Sequence, residues 1–149
     1  MAEILDRLDR DMKVAMKERD KFTLSVIRMM RSELKYAEIA LGSPLADEQV
    51  IEVLARELKK REDAAGEFAA AGRAQTAESL NRELDIIMQY LPEPLTEEQL
   101  RDIITEAINA TGAESKADFG KVMGRVMPQV KGRSDGNMVM VLVKQLLDR

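Results

Sequence analysis

A chain of 149 residues with a formal charge of −4 can build one ordinary domain or two small ones, and its acidity argues against indiscriminate nucleic-acid binding. Histidine and cysteine are absent, which excludes Ser-His-Asp and Cys-His nucleophilic sites, thiolate chemistry, iron–sulfur clusters, disulfides and the usual zinc ligand sets. With no tryptophan and only 2 tyrosines and 3 phenylalanines the core must be aliphatic, and the 10 methionines are adaptable filling for it.

The first helix is expected from Glu3 to Arg19, where Ile4, Leu8, Met12 and Ala15 recur at spacings of three and four. Asp20 has the side chain of an N-cap for a second helix, which carries Leu24, Ile27, Met30, Leu34 and Ala37 on one face and stops at Gly42-Ser43-Pro44. Asp47 is read as the cap of a third helix, with Val50, Leu54, Leu58, Arg61, Ala65 and Phe68 on its stripe and an end at Ala71-Gly72. A fourth helix from about Gln75 carries Ala77, Leu80, Leu84, Ile87 and Leu91. Leu91-Pro92-Glu93-Pro94 then breaks the chain.

Beyond that break Thr96 and Gln99 form a capping box for a fifth helix, which ends near Gly112. Ser115 caps a sixth that stops before, or kinks at, Pro128, and Ser134 or Asp135 caps a last one bearing Val139, Leu142, Val143 and Leu146. No strand-like alternation interrupts these patterns. The expectation is an all-α chain: a four-helix hairpin or bundle over residues 1–91, a Pro-containing linker at 92–95 and a three-helix tail over 96–149. No stretch approaches the roughly 18–20 apolar residues of a membrane span. The N-terminus, charged from Glu3 onward, does not read as a signal peptide. Together with the missing cysteines, this gives the expectation of a cytoplasmic protein with no membrane partner.

Two groups of residues are candidates for binding. From Phe119 to Leu147 the cations Lys121, Arg125, Lys131, Arg133 and Lys144 face Asp135 alone, a local excess of positive charge on an acidic chain. Within it, Lys131-Gly132-Arg133-Ser134-Asp135-Gly136 sets two cations and flexible backbone at a helix entrance. That is a reasonable phosphate cradle, and equally a capped turn with its cations in water. On the second helix Arg28, Arg31 and Lys35 cluster on one side, fit either to bind phosphate or an acidic partner or to form a solvated face. The carboxylate pairs Glu62-Asp63 and Glu97-Glu98 lack the spacing of an ion site. No catalytic residue, metal site or cofactor is expected.

The segments Gly124-Arg125-Val126-Met127, Lys131-Gly132-Arg133-Ser134-Asp135-Gly136 and Leu142-Val143-Lys144-Gln145-Leu146-Leu147 resemble the C-terminal signature of the GatB/YqeY family. Upstream, Ile27-Arg28-Met29-Met30-Arg31-Ser32-Glu33-Leu34-Lys35 and Arg82-Glu83-Leu84-Asp85-Ile86-Ile87 with Tyr90-Leu91-Pro92 are similar to stand-alone YqeY-like proteins. Tyr36 departs from the asparagine often found there. The resemblance implies a tail related to the end of the B subunit of glutamyl/aspartyl-tRNA amidotransferase, where the tail is associated with tRNA recognition. It also brings the label of a carbon–nitrogen ligase with glutamine as amido-N-donor, although no counterpart of that enzyme's catalytic domain is present. The function expected is an accessory tRNA-associated helical module, binding tRNA, amidotransferase subunits or another translation protein. Arg125, Lys131, Arg133 and Lys144 would supply charge, and Gly132 and Gly136 close approach. The alternative is a protein–protein interaction scaffold without RNA.

Overall fold

The computed structural model describes residues 3–148. It is all-α, with helices α1 (Glu3–Glu18), α2 (Lys21–Leu41), α3 (Asp47–Ala70), α4 (Ala74–Met88), α5 (Glu97–Thr111), α6 (Phe119–Val130) and α7 (Gly136–Leu147). Contacts divide the chain into two compact units, Met1–Pro92 and Glu93–Arg149. The reading of the extreme N-terminus includes Met1 and Ala2, which lie outside the described residues.

In the first unit the apolar stripes of four helices meet in one aliphatic core. Leu8 of α1, Ile27, Met30 and Leu34 of α2, Val50 and Leu54 of α3 and Ile87 of α4 are fully buried there. α1 ends at Arg19, which takes a left-handed conformation with φ 57°, a geometry no glycine advertises in the sequence. Asp20 then caps α2: its Oδ1 accepts from the Thr23 amide at 3.1 Å and its Oδ2 from the Thr23 hydroxyl at 2.7 Å. These bonds to Thr23 hold the Asp20 carboxyl below the usual carboxylate range. At the far end of α2, Gly42 adopts φ 81° and returns its amide to the Glu38 carbonyl.

Two boundaries differ from the sequence reading. Asp47 is not the cap of α3; it is the first helical residue, and Ala46 holds the cap position. The Ala46 amide donates to Oε1 of Gln49 at 2.9 Å, so half of a capping box stands without a capping side chain. Asp47 instead accepts from the Ile4 amide at 3.3 Å and satisfies an orphan donor in the first turn of α1. α4 ends at Met88 rather than Leu91.

Arg61 lies on the buried stripe of α3 because it is paired. Its Nη1 donates to Oε2 of Glu57 at 2.8 Å, and its Nε lies 3.6 Å from Oε2 of Glu83 across the α3–α4 hairpin. Glu57 is itself buried and also takes Lys60 at 3.1 Å. Desolvation pushes the Glu57 carboxyl up, but the hydrogen bonds from Arg61 and Lys60 outweigh it and leave the group lowered. A second clamp joins α1 to the end of α4. The Tyr90 hydroxyl donates to Asp11, the Arg7 guanidinium lies 5.0 Å from the Tyr90 ring centre, and Arg7 donates to the Gln89 carbonyl at 2.9 Å.

The second unit has its own core, built on Leu100, Ile104, Val122, Val126, Val139 and Val143. Thr96 and Gln99 form the reciprocal capping box of α5, at 3.1 and 3.0 Å. Ser115 caps a single 3₁₀ turn at Lys116–Asp118 before α6 begins. α6 then runs through Pro128 to Val130, so the helix does not stop at the proline. Pro128 falls in the last turn and faces solvent, where one missing amide and one displaced carbonyl cost least.

Candidate nucleic-acid interface

The basic part of the second unit is the α6–α7 hairpin. Lys131 and Gly132 follow α6, and Gly132 takes φ 76°, the left-handed conformation that turns the chain. Asp135 then caps α7 by accepting from the Asn137 amide at 2.9 Å. The amide end of α7 thus carries a carboxylate, and the turn from Lys131 to Gly136 is capped.

The cations expected to act together are divided by the fold. Arg133 is half-buried and turned inward: its Nε donates to the Glu93 carbonyl at 3.4 Å, and its own carbonyl accepts from the Leu95 amide at 2.8 Å. It therefore fastens the segment that leads into α5. Lys144 lies with its ammonium 5.5 Å from the ring centre of Phe119, at the start of α6. The turn at Lys131 follows the other end of α6, about 16 Å away along a helix of this length. Arg125 and Lys131 are exposed, Arg125 on α6 and Lys131 directly after it. Gly136 is the first residue of α7 and is exposed, and a Cβ there would meet nothing.

The α2 cations lie beside a cleft of about 800 Å³ in the first unit. Its walls carry Arg28, Arg31 and Lys35 from α2 and Asp6 and Asp9 from α1, and Leu5, Leu34 and Leu45 contribute apolar surface. Arg31 is committed to α1: its Nε pairs with Asp9 at 3.0 Å and its Nη1 donates to the Met12 sulfur at 3.0 Å. Lys35 makes only a long contact of 3.9 Å to Glu38. Arg28 has no ion-pair partner among the described residues. Sequence spacing located these three side chains but could not show that Arg31 is held by a residue 22 positions earlier.

One carboxylate of each pair singled out in the sequence finds a cation. Asp63 pairs with Lys59 at 3.8 Å and Glu97 with Arg101 at 2.9 Å. No helix among the described residues is long and apolar enough to cross a membrane.

A two-unit all-α protein with a basic last hairpin is thus the class that fold and surface define. Its family follows from comparison with known proteins. The YqeY-like protein family matches residues 5–147, and the chain belongs to that family. A Pyrenophora tritici-repentis protein named altered inheritance of mitochondria protein 41, mitochondrial, is 29% identical over 88% of this chain and 73% of its own length. The Saccharomyces cerevisiae protein of the same name is 30% identical over 80% of this chain and 68% of its own length. An uncharacterized Schizosaccharomyces pombe protein is 33% identical over 53% of this chain. The mitochondrial designation of the Pyrenophora and Saccharomyces relatives overturns the expectation of a cytoplasmic protein. That expectation leaned on the missing cysteines, which suit any reducing compartment.

Proposed function

We propose that this chain is an accessory module that contacts tRNA, or a protein assembly acting on tRNA, through the exposed cations of the α6–α7 hairpin. The observation that carries the reading is the charge of that hairpin. Five cations stand there against Asp135, and Asp135 is taken up in capping α7. Arg125 and Lys131 are exposed, as are Lys121 and Lys144, and Arg133 acts by holding the turn that follows α6. No residue is assigned to the carbon–nitrogen ligase label that accompanies the GatB/YqeY resemblance.

The test is a tRNA titration at two salt concentrations. Replacing Arg125 and Lys131 together by alanine removes two phosphate contacts, and the slope of log affinity against log salt falls by about 1.4–1.8. Both side chains are exposed, so the fold survives the change. Affinity and slope equal to the parent chain would remove the hairpin from the account.

A protein-interaction scaffold without RNA is the second reading, favoured by exposed Met138, Met140 and Val141 on α7. Pull-downs from lysate with and without nuclease separate the two. A partner retained equally after nuclease supports the scaffold.

A further inference from the structure

The outer face of α2 carries a row of donors that the tail reading does not use. At 100° per residue Lys21, Arg28, Ser32, Lys35 and Tyr36 fall within an arc of about 100°, and they are exposed. By angle no acid of α2 falls in that arc, although Glu38 reaches within 3.9 Å of Lys35 and, with Asp6 and Asp9 of α1, lines the cleft beside Arg28, Ser32 and Lys35. Along the axis, Arg28, Ser32 and Lys35 are about 6 and 4.5 Å apart, a period comparable to successive phosphates on a nucleic-acid strand. Arg28 makes no ion pair and the Ser32 hydroxyl no hydrogen bond among the described residues. Their donors therefore enter an interaction without breaking another. Tyr36 is 67% exposed one residue past Lys35, an aromatic ring of the kind that the rest of the chain buries or half-buries.

We infer that this face is a second nucleic-acid contact, on which a single RNA strand lies along α2. The backbone phosphates meet Lys21, Arg28, Ser32 and Lys35, and one base stacks on Tyr36. Cations alone fit an acidic protein equally well. The free hydroxyl between the cations and the exposed ring beside them favour a strand that offers phosphates and π-faces together. Arg31 is not part of the row; its pairing with Asp9 and Met12 fixes the angle at which α2 presents the others. The inference goes beyond the tail reading and does not depend on it.

The experiment titrates the full chain with a labelled single-stranded RNA at two salt concentrations. Comparison is with Arg28→Gln/Lys35→Gln, Tyr36→Phe, Tyr36→Ala and the tail double variant Arg125→Ala/Lys131→Ala. The α2 double variant is expected to lose about 1.4 from the salt slope. Tyr36→Ala is expected to weaken binding roughly five- to a hundredfold, and Tyr36→Phe to leave it unchanged, because the ring and not the hydroxyl stacks. All these residues are exposed, and melting curves that match the parent confirm intact folds. Parent-like affinity and slope in the α2 double variant, or equal effects of Tyr36→Phe and Tyr36→Ala, overturn the inference. RNA binding lost in the tail variant and untouched in the α2 variants overturns it while sparing the tail. Loss in the α2 variants alone overturns the tail and keeps this face. No RNA binding by the parent chain at low salt overturns both.

Discussion

Replacing Tyr90 by phenylalanine isolates one hydrogen bond on which the closure of the first unit depends. The Tyr90 ring is 3% exposed and belongs to the aliphatic core, so phenylalanine keeps the packing and deletes only the hydroxyl that donates to Asp11. A hydrogen bond to a charged group contributes about 1.5–3 kcal/mol, and here its loss also leaves a half-buried carboxylate short of a donor. A unit of this length is stable by about 5–14 kcal/mol. A loss near 2 kcal/mol is then a large part of the total, and it lowers the melting temperature by about 8–16 °C. Burial, and then the Asp11 carboxylate, raise the Tyr90 hydroxyl above its ordinary value of 10.0. A raised pKa means the folded state holds the proton more tightly than the unfolded state. The stabilisation is therefore complete below pH 10 and lost as pH climbs above it. Thermal unfolding followed by circular dichroism at neutral pH and near pH 10.5 measures both effects. Parent and variant should differ most at neutral pH and converge in alkali. A melting temperature within about 2 °C of the parent at neutral pH would refute the assignment of Tyr90 as a clamp.

The buried ion group on α3 gives an asymmetric result. Arg61→Met alone leaves Glu57 buried with only Lys60 and costs about 3–5 kcal/mol, while Arg61→Met with Glu57→Leu costs far less, measured by urea unfolding. Because the Glu57 carboxyl is lowered, its contribution is present at neutral pH and disappears as pH falls below about 4.5, so Glu57→Gln should flatten acid unfolding. In the second unit Gly132→Ala forces a Cβ onto a residue at φ 76° and should destabilise by about 1 kcal/mol, read as a shift in the urea midpoint. A neutral result would mean that the turn relaxes freely.

Local chemistry made the helices legible. Asp20 followed by Thr23, Thr96 followed by Gln99, Asp135 before α7 and Gly42 after α2 each satisfy backbone groups within a few residues, and such signals read directly from the chain. The misread cap of α3 turns on a contact that spacing does not carry. Asp47 looked like a cap because it precedes an apolar stripe, yet its carboxylate serves an amide 43 residues earlier. Pro128 was expected to stop or kink α6; it lies in the last exposed turn, and the helix runs on to Val130. Arg61 fell on an apolar stripe, and spacing alone did not show its partners; the structure half-buries it beside Glu57 and Glu83.

The same distinction sorts the candidate binding residues. A cation counts toward a surface only if the fold leaves it unspent, and that is decided by partners far away in the chain. Arg31 is spent on Asp9, and Arg133 on the Glu93 carbonyl 40 residues before it. Arg28 on the first unit and Arg125 on the second are exposed and enter no ion pair among the described residues; Lys35 and Lys131 are exposed as well. Charge counting along the sequence pointed to the tail because its cations are undiluted there. On α2 the acids of α1 and of α2 itself mask the same density in any sum, and Asp6, Asp9 and Glu38 line the cleft on one side of the row. Direction, and not the local total, is what a strand approaching from solvent meets. That is the physical reason a chain with an acidic first unit can still offer a basic face.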